Sequence, residues 1–145
     1  MGIRDFLPHE LEQRLSIVQR LEANVKGNGF ERIVTPSIEI YDAIEDSLGR
    51  QLKNNCIVFF DGSGARLALR PDHSAAICRI VASKMLDQLP VQLYYYDPVF
   101  RKDAHLGETE IYQFGVEHIG RLTIEGDAKM LQMVVDMCHS LGLKD

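Results

Sequence analysis

The sequence predicts an α+β fold in which a largely antiparallel sheet is flanked by helices. Apolar residues recur at helical spacing near the beginning, in the middle and at the end of the chain. Short stretches rich in β-branched and aromatic residues lie between those segments, and at least two connections between them suit hairpins. Helices interleaved with hairpin-joined strands in this order are typical of α+β domains.

The composition is that of a globular domain. Of 145 residues, 46% are hydrophobic and 26% are charged, so the chain can bury a core without disulfides. Its three cysteines and five histidines are scattered without metal-ligand spacing, and we therefore expect reduced, mostly buried thiols and no metal. The net charge of −5 gives no basic footprint for nucleic acid. Without a long apolar run or a signal-peptide core near Met1, we expect a cytoplasmic protein with no membrane association.

The N-terminal third predicts a helix, a strand and a second helical segment. An apolar stripe that stops at Gly27-Asn28-Gly29 predicts an amphipathic helix. Phe30 to Thr35 predicts a strand ended by Pro36, which has no N–H for a sheet ladder. A second stripe predicts a shorter helix or helical loop that ends at Gly49, with Glu39 on its solvated side. The two stripes consist of Leu11, Leu15, Val18, Leu21 and Val25, and of Ile38, Tyr41, Ile44 and Leu48.

The middle of the chain predicts a β-hairpin followed by a helix. Apolar stretches at 56–60 and 66–70 flank a Gly-rich turn, and Pro71 ends the second of them. Either Asp72 or Ser74 can cap the following helix with a side-chain oxygen. Polar residues at such junctions also carry function, so capping and ligand binding are both open for these two. The buried stripe of this helix is predicted to be Ile77, Ile80, Val81 and Met85.

The last third predicts two more strands and a final helix. Gln92–Tyr96 has strand composition, Asp97-Pro98 predicts a break, and Val99–Arg101 resumes an extended conformation. A connection over Lys102–Thr109 leads to a strand at Tyr112–Gly120. The final helix stops at Gly142, and its apolar positions are Ile124, Met130, Leu131, Val134, Val135 and Cys138.

The strand at Tyr112–Gly120 has two chemically different faces, because successive side chains point in opposite directions. Tyr112, Phe114 and Val116 form the face expected to be buried, and Gln113, Gly115 and Glu117 form the other. A glycine within a strand often marks a close approach to the backbone, which favours a pocket floor. A polar face turned to water is the alternative, and the pattern leaves both open.

If the preceding connection is a hairpin loop, Arg101 lies beside this polar face. Amide and carboxylate oxygens accept hydrogen bonds from an ammonium group, while an arginine binds a carboxylate or phosphate through its fork of donors. The combination therefore suits a zwitterion. No Walker loop or Gly-x-Gly-x-x-Gly is present, so we expect neither a nucleotide cofactor of that kind nor any other cofactor. The candidate binding residues are Asp72, Ser74, Arg101, Gln113 and Glu117.

Five sets of segments along nearly the whole chain occur in a characteristic order and spacing. They are Gly2-Ile3-Arg4-Asp5-Phe6-Leu7-Pro8, Gly29-Phe30 with Pro36 and Glu39, Arg66 to Asp72, Tyr95 to Arg101, and Gln113 to Glu117 with Ile119-Gly120. Together they resemble successive landmarks of histidyl-tRNA synthetases and their paralogues. The resemblance implies the class II synthetase catalytic fold, with residues 1–145 as the N-terminal part of its core domain. It also implies that Pro36 lies on the dimer-forming motif 1, that Arg101 is the motif 2 arginine, and that the other candidates surround a histidine pocket.

Departures from the family pattern favour one branch. Asp72 and Ser74 stand where these synthetases typically have Glu and Thr. The motif 2 loop is short, and no arginine occurs between Arg101 and Arg121, so a source of phosphate neutralisation for adenylate formation is missing. The chain also ends before motif 3 and the second histidine-binding loop, as a fragment would.

This pattern is similar to the regulatory subunit of ATP phosphoribosyltransferase, a synthetase paralogue of histidine biosynthesis that does not charge tRNA. The resemblance implies a non-catalytic subunit, without catalytic residues of its own, that binds histidine and a short-form phosphoribosyltransferase. It also implies a homodimer through the motif 1 region and no nucleic-acid partner. The alternative is a catalytic-domain fragment of a histidine–tRNA ligase, in which Arg101 would stabilise the α-phosphate of ATP. A third possibility is a paralogue for another amino acid.

Overall fold

The computed structural model describes residues 4–102, 109–120 and 123–143. The chain divides into two compact units. The first unit consists mainly of Ile33–Leu86 and Tyr95–Gln113, and the second of Asp5–Arg32, Asp87–Tyr94 and the chain from Phe114 onward. In chain order the elements are α1 (Pro8–Gly27), β1 (Glu31–Arg32), β2 (Ile38–Ile40), α2 (Tyr41–Ile44), α3 (Arg50–Asn55), β3 (Val58–Phe60), β4 (Arg66–Leu69), α4 (Ser74–Lys84), β5 (Val91–Phe100), β6 (Glu110–Ile119) and α5 (Ile124–Ser140), with 3-10 turns at Glu45–Ser47 and Leu86–Gln88.

The first unit contains an antiparallel sheet with the strand order β2-β4-β3. Its β3–β4 hairpin confirms the prediction from the two apolar stretches. The turn forms because the carboxylate of Asp61 accepts hydrogen bonds from the backbone N–H groups of Ser63 at 2.8 Å and Ala65 at 2.9 Å. Aspartate is common in turns because its side chain can accept backbone hydrogen bonds of this kind.

The predicted helix from Ile38 is wrong at its start, where Ile38–Ile40 is strand β2. Pairing with β4 overrides the helical spacing, and the exposed, buried, exposed pattern of these three residues has the period of a strand. Glu39 is consequently buried rather than solvated. The helix begins at Tyr41, and Gly49 is the N-cap residue of α3 rather than the end of a helix.

Two sets of apolar residues form the core of the first unit. α2 and the following turns pack Tyr41, Ile44 and Leu48 against Cys56 and Ala68 of the hairpin region. α4 buries Ala76, Ile77 and Val81, so the predicted stripe is confirmed at Ile77 and Val81, while Ile80 and Met85 are not fully buried.

The second unit has its own core around the C-terminal half of α1. Val18 and Val25 of α1 are buried, as the stripe predicts, whereas Leu11 and Leu15 are 43% and 44% exposed. Gly29 has a φ of +87°, which suits the turn after α1. The buried cluster consists of Val25, Phe30, Tyr94 and Met133, with Phe114, Val116, Met130 and Met137 packed against it.

A second sheet has the strand order β1-β5-β6, and the boundary between the two units falls within β5 and β6. In the second unit, β1 runs parallel to β5 and pairs Glu31 with Leu93. β1 is shorter than predicted. The predicted break at Asp97-Pro98 is wrong, because β5 continues through it.

α5 begins where the Thr123 hydroxyl accepts a hydrogen bond from the N–H of Gly126 at 3.0 Å. Its inward side is formed by methionines, with Met133 buried. Of the apolar positions predicted for this helix, Met130 packs against the core, whereas Ile124 and Leu131 are 85% and 71% exposed and Val134, Val135 and Cys138 are exposed as well. The expected burial of most thiols is therefore wrong, since Cys56 is buried but Cys78 and Cys138 are exposed. None of the helices in the described ranges is long and apolar enough to cross a membrane.

Candidate functional site

Three of the predicted site residues meet in the first unit, where β4 passes into α4. We call residues Arg70–Ser74 the junction. Its backbone is fixed at the β4 end, because the N–H of Arg70 donates to Ser37 and its carbonyl accepts from the N–H of Phe100, each at 2.9 Å. The end of β4 is thereby attached both to the segment before β2 and to the last residue of β5.

Arg70 anchors the junction from inside the protein. Its side chain is 1% exposed, and its guanidinium donates to the carbonyl oxygens of Thr35 at 2.6 Å, Pro36 at 3.1 Å and Pro98 at 2.6 Å. Burial lowers the pKa of this guanidinium below its ordinary value. Backbone carbonyls therefore accept its hydrogen bonds, as a buried cation requires.

His73 is the second buried anchor. Its Nε2 lies 3.0 Å from the carbonyl oxygen of Asp97, and its ring stacks on Tyr95 with centroids 4.1 Å apart. Desolvation lowers the pKa of this imidazole below its usual 6.5, although the Asp97 carbonyl opposes the shift. The neutral ring therefore carries its proton on Nε2 and donates it to Asp97.

Asp72 and Ser74 flank His73 and are only partly buried. One carboxylate oxygen of Asp72 accepts the N–H of Ser74 at 2.8 Å, and this bond organises the start of α4. The capping prediction is wrong in its residue, because the N-cap position of α4 is occupied by His73 and neither Asp72 nor Ser74. Asp72 nevertheless accepts the first N–H of the helix, and its second oxygen takes no part in that bond. Both residues line a cavity of about 520 Å³, together with Ala43, Ser47, Leu48, Leu52, Ala75, Cys78, Arg79 and Ala82.

Arg101 lies beside Asp72. Its Nε donates to the carbonyl oxygen of Pro71 at 2.8 Å, and its Nη2 is 3.7 Å from Oδ2 of Asp72. These side chains are 21% and 27% exposed, so the pair is neither free in solvent nor sealed from it. A cation and a carboxylate thus stand side by side, as expected for a site that receives a zwitterion.

The connection between β5 and β6 is closed at its ends, since the N–H of Arg101 donates to the carbonyl of Thr109 at 2.9 Å. That is the hairpin arrangement on which the predicted placement of Arg101 depends. Most of the loop, residues 103–108, lies outside the described residues.

Gln113 and Glu117 lie on β6, and both are partly buried. Gln113 belongs to the first unit and Glu117 to the second. The structure brings Asp72, Ser74 and Arg101 together, whereas a pocket that also includes Glu117 stays a prediction. On the same strand, Phe114 and Val116 pack against the core as predicted, while Tyr112 is 38% exposed.

Sequence reasoning missed the two anchors. Arg70 and His73 are buried, whereas Asp72 and Ser74 are partly exposed. Because Asp72, His73 and Ser74 are all polar, their order along the chain gave no signal that His73 is buried. It missed as well that Glu39 pairs with Arg79, whose Nη2 lies 2.9 and 2.8 Å from the two carboxylate oxygens. No group of three or more His, Cys, Asp or Glu side chains in the described part of the chain is arranged to hold a metal ion.

Comparisons with known proteins agree on one family. A family model described as histidyl-tRNA synthetase matches residues 2–145. An ATP phosphoribosyltransferase regulatory subunit from Caldanaerobacter subterraneus is 36% identical over 146 residues, covering 99% of this chain and 38% of that protein. A histidine–tRNA ligase from Pyrobaculum neutrophilum is 29% identical, covering 99% of this chain and 35% of that protein.

A solved structure gives the same result for the fold. The crystal structure of an ATP phosphoribosyltransferase regulatory subunit/histidyl-tRNA synthetase from Bacillus halodurans matches with a TM-score of 0.88 and 30% identity, over 100% of this chain and 38% of that one. The predicted class II synthetase-like fold is therefore confirmed. The chain spans somewhat more than a third of the length of the proteins it matches.

Proposed function

The chain belongs to the histidyl-tRNA synthetase family, and from that premise we propose that it is part of an ATP phosphoribosyltransferase regulatory subunit that binds histidine. In this role it carries feedback inhibition to a separate catalytic subunit, and it works in the cytoplasm with the rest of histidine biosynthesis. It needs no cofactor and binds no nucleic acid.

One observation carries the amino-acid site: Arg101 stands 3.7 Å from Asp72 at the junction. In the proposed complex, the Asp72 oxygen that is not bonded to Ser74 accepts from the ammonium group of histidine. Arg101, held by the Pro71 carbonyl, is oriented for the ligand carboxylate. Ser74 adds a hydroxyl at the cavity wall. The family resemblance adds Gln113 and Glu117 of β6 to the proposed histidine-binding residues.

Sequence favours the regulatory branch over the ligase. The chain is 36% identical to the Caldanaerobacter regulatory subunit and 29% identical to the Pyrobaculum ligase. In addition, no arginine follows Arg101 before Arg121, so the ATP side of an adenylating site would lack a phosphate-binding group. The ligase stays the second candidate because both kinds of protein share the family and the fold.

Two partners belong to this proposal. The short-form ATP phosphoribosyltransferase is the catalytic subunit that a regulatory subunit controls. A second copy of the chain is the other partner, through the region around Pro36 that resembles motif 1. In that region Val34, Ile38 and Ile40 are 63%, 51% and 59% exposed, which is an unusual degree of exposure for neighbouring β-branched residues.

Calorimetric titration of the intact protein with L-histidine tests the site. We expect binding by the wild type and about tenfold weaker binding by Asp72→Asn, because the amide still accepts the N–H of Ser74 but no longer carries the charge that attracts an ammonium group. Asp42→Asn is the matched control, since its carboxylate pairs with Arg66 on the surface and does not line the cavity. An intact protein that binds no histidine, or an Asp72→Asn variant that binds as well as the control, would contradict the proposal.

Co-purification of the intact protein with a short-form phosphoribosyltransferase tests the partner. Histidine should inhibit the enzyme only when both chains are present. Inhibition by histidine of the catalytic subunit alone, unchanged by this protein, would remove the regulatory role.

A further inference from the structure

We propose that His73 is a positioning residue of the ligand site: its buried imidazole fixes the backbone from which Asp72 and Ser74 reach the cavity. The link to histidine affinity rests on the function proposed above. The positioning itself is a property of the protein without ligand, and it can be measured separately.

The imidazole is held on two sides. It is 1% exposed, its Nε2 donates to the Asp97 carbonyl at 3.0 Å, and its ring stacks on Tyr95 at an interplanar angle of 27°. Its Nδ1 is buried and has no hydrogen-bond partner among residues 4–102, 109–120 and 123–143. One hydrogen bond and one stacking contact therefore define where the ring sits.

The fixed position of the His73 ring also restricts the backbone conformation of the two neighbouring residues. The bond from the N–H of Ser74 to the Asp72 carboxylate spans His73, so it forms only when the backbone of His73 has the observed conformation. Because peptide units are planar, a rotation at His73 reorients the peptide groups on both sides of it. Arg70 fixes the β4 end of the junction, and Arg101 and the buried Pro71 hold the backbone just before Asp72. Asp72 and Ser74 are themselves only partly buried, so His73 is the buried side chain that lies between the two.

Two substitutions separate the hydrogen bond from the ring. His73→Gln retains an N–H donor at about the position of Nε2 and loses the ring. His73→Phe retains the ring stacked on Tyr95 and leaves the buried Asp97 carbonyl without its donor. Ile44→Ala is the control for lost stability, because Ile44 is buried in the core of the same unit and does not line the cavity.

The first measurement is amide hydrogen exchange at Ser74 in the intact, ligand-free protein. Relative to Ile44→Ala, His73→Phe should accelerate exchange at Ser74 by about tenfold, while amides in the middle of α4 change equally in both variants. His73→Gln should restore most of the protection. If His73→Phe does not fold, Tyr95→Leu replaces it, since that change removes the stacking contact and keeps the bond to Asp97.

The second measurement is titration with L-histidine. His73→Phe should bind about tenfold more weakly than Ile44→Ala. The affinity of His73→Gln should lie between those of His73→Phe and the wild type. Exchange at Ser74 that is the same in His73→Phe and Ile44→Ala would overturn the positioning role. If the wild type binds no histidine, the proposed function fails, and Ser74 exchange still decides the positioning role. Faster exchange with unchanged affinity would overturn the link between the two.

Discussion

Several polar side chains of the first unit are buried, and each has a specific partner that explains its burial. Arg70 donates to three backbone carbonyls, His73 to one, and Glu39 pairs with Arg79. Burying such groups costs free energy unless their hydrogen bonds are formed, so each must be matched by the element that it contacts. At the scale of single residues, these side chains join the strands β2, β4 and β5 to the helix α4.

The pair of Glu39 and Arg79 gives a prediction about stability. Glu39→Gln should destabilise the protein by about 2 kcal/mol, because the Glu39 side chain is 6% exposed and its removal leaves the guanidinium without its charge partner. The cost stays below that of a fully buried pair because Arg79 is 39% exposed. Asp42→Asn, at an exposed pair with Arg66, should cost less than about 1 kcal/mol. Equal midpoints for the two variants in urea denaturation would contradict this account.

His73 gives a prediction about pH. Burial lowers its pKa in the folded protein, although Asp97 and Asp72 raise it and Arg70 lowers it further. In the unfolded chain His73 takes up a proton near pH 6.5, whereas in the folded protein it does so only at lower pH. The contribution of the neutral His73 to the free energy of unfolding is therefore complete above pH 6.5 and declines below it.

Urea denaturation between about pH 7.5 and about pH 5.5 checks this sign. The stability advantage of the wild type over His73→Gln should shrink as the pH falls, because glutamine does not titrate. Ile44→Ala, which removes no titratable group, is the control, and its stability should change with pH in parallel with that of the wild type. An advantage that grows toward the acid end of this range would mean that the folded protein binds this proton more tightly than the unfolded chain does.

At the scale of elements, local patterns were sufficient where they agreed with the tertiary contacts. The long helix α1 and the β3–β4 hairpin follow from spacing and turn residues. Ile38–Ile40 was mispredicted because its helical spacing competes with sheet pairing to β4, which only the folded chain displays. β5 continues through Pro98, where the carbonyls of Asp97 and Pro98 accept hydrogen bonds from His73 and Arg70. These partners are distant in sequence, so a prediction from neighbouring residues alone does not include them.

Gly120 gives a prediction at this scale. Its φ is +131°, and a Cβ at this position would lie 2.7 Å from the Cα of Pro90. Gly120→Ala should therefore cost about 3 kcal/mol, from backbone strain together with a contact that only backbone movement can relieve. Gly49→Ala is the control, because Gly49 has a φ of −62° and a methyl group added there would meet no atom within 4 Å. A thermal denaturation midpoint that falls equally in both variants would be inconsistent with the crowding at Pro90.

At the scale of the whole molecule, part of the candidate site was predictable and part was not. Asp72, Ser74 and Arg101 were identified from their residue types and from the family resemblance, and the structure brings them together. The anchors Arg70 and His73 were not, because an arginine and a histidine in sequence carry no sign that they are buried. Gln113 and Glu117 fall in different units, so their shared role stays a prediction.

Self-association is the first prediction for the intact protein. Ile38 and Ile40 lie on one face of the β2-β4-β3 sheet with Leu69 and Leu67, their partners on β4, because cross-strand partners point the same way. Sedimentation should show a dimer at micromolar concentration, and Ile40→Lys should dissociate it by placing a charge within the interface. Leu131→Lys, at an exposed position on α5, should sediment as the wild type does. A monomeric wild type would refute the dimer.

The central claim is that this protein binds histidine without activating it. Histidine-dependent exchange of pyrophosphate into ATP, measured on the intact protein, tests that claim most directly. An adenylating site must hold the leaving pyrophosphate in line with the attacking carboxylate, and the loss of each such group commonly costs about a hundredfold or more in rate. With no arginine between Arg101 and Arg121, we predict exchange at the background level of a sample without histidine, under conditions in which calorimetry shows histidine bound. Exchange at the rates of a synthetase would contradict the account and identify a ligase.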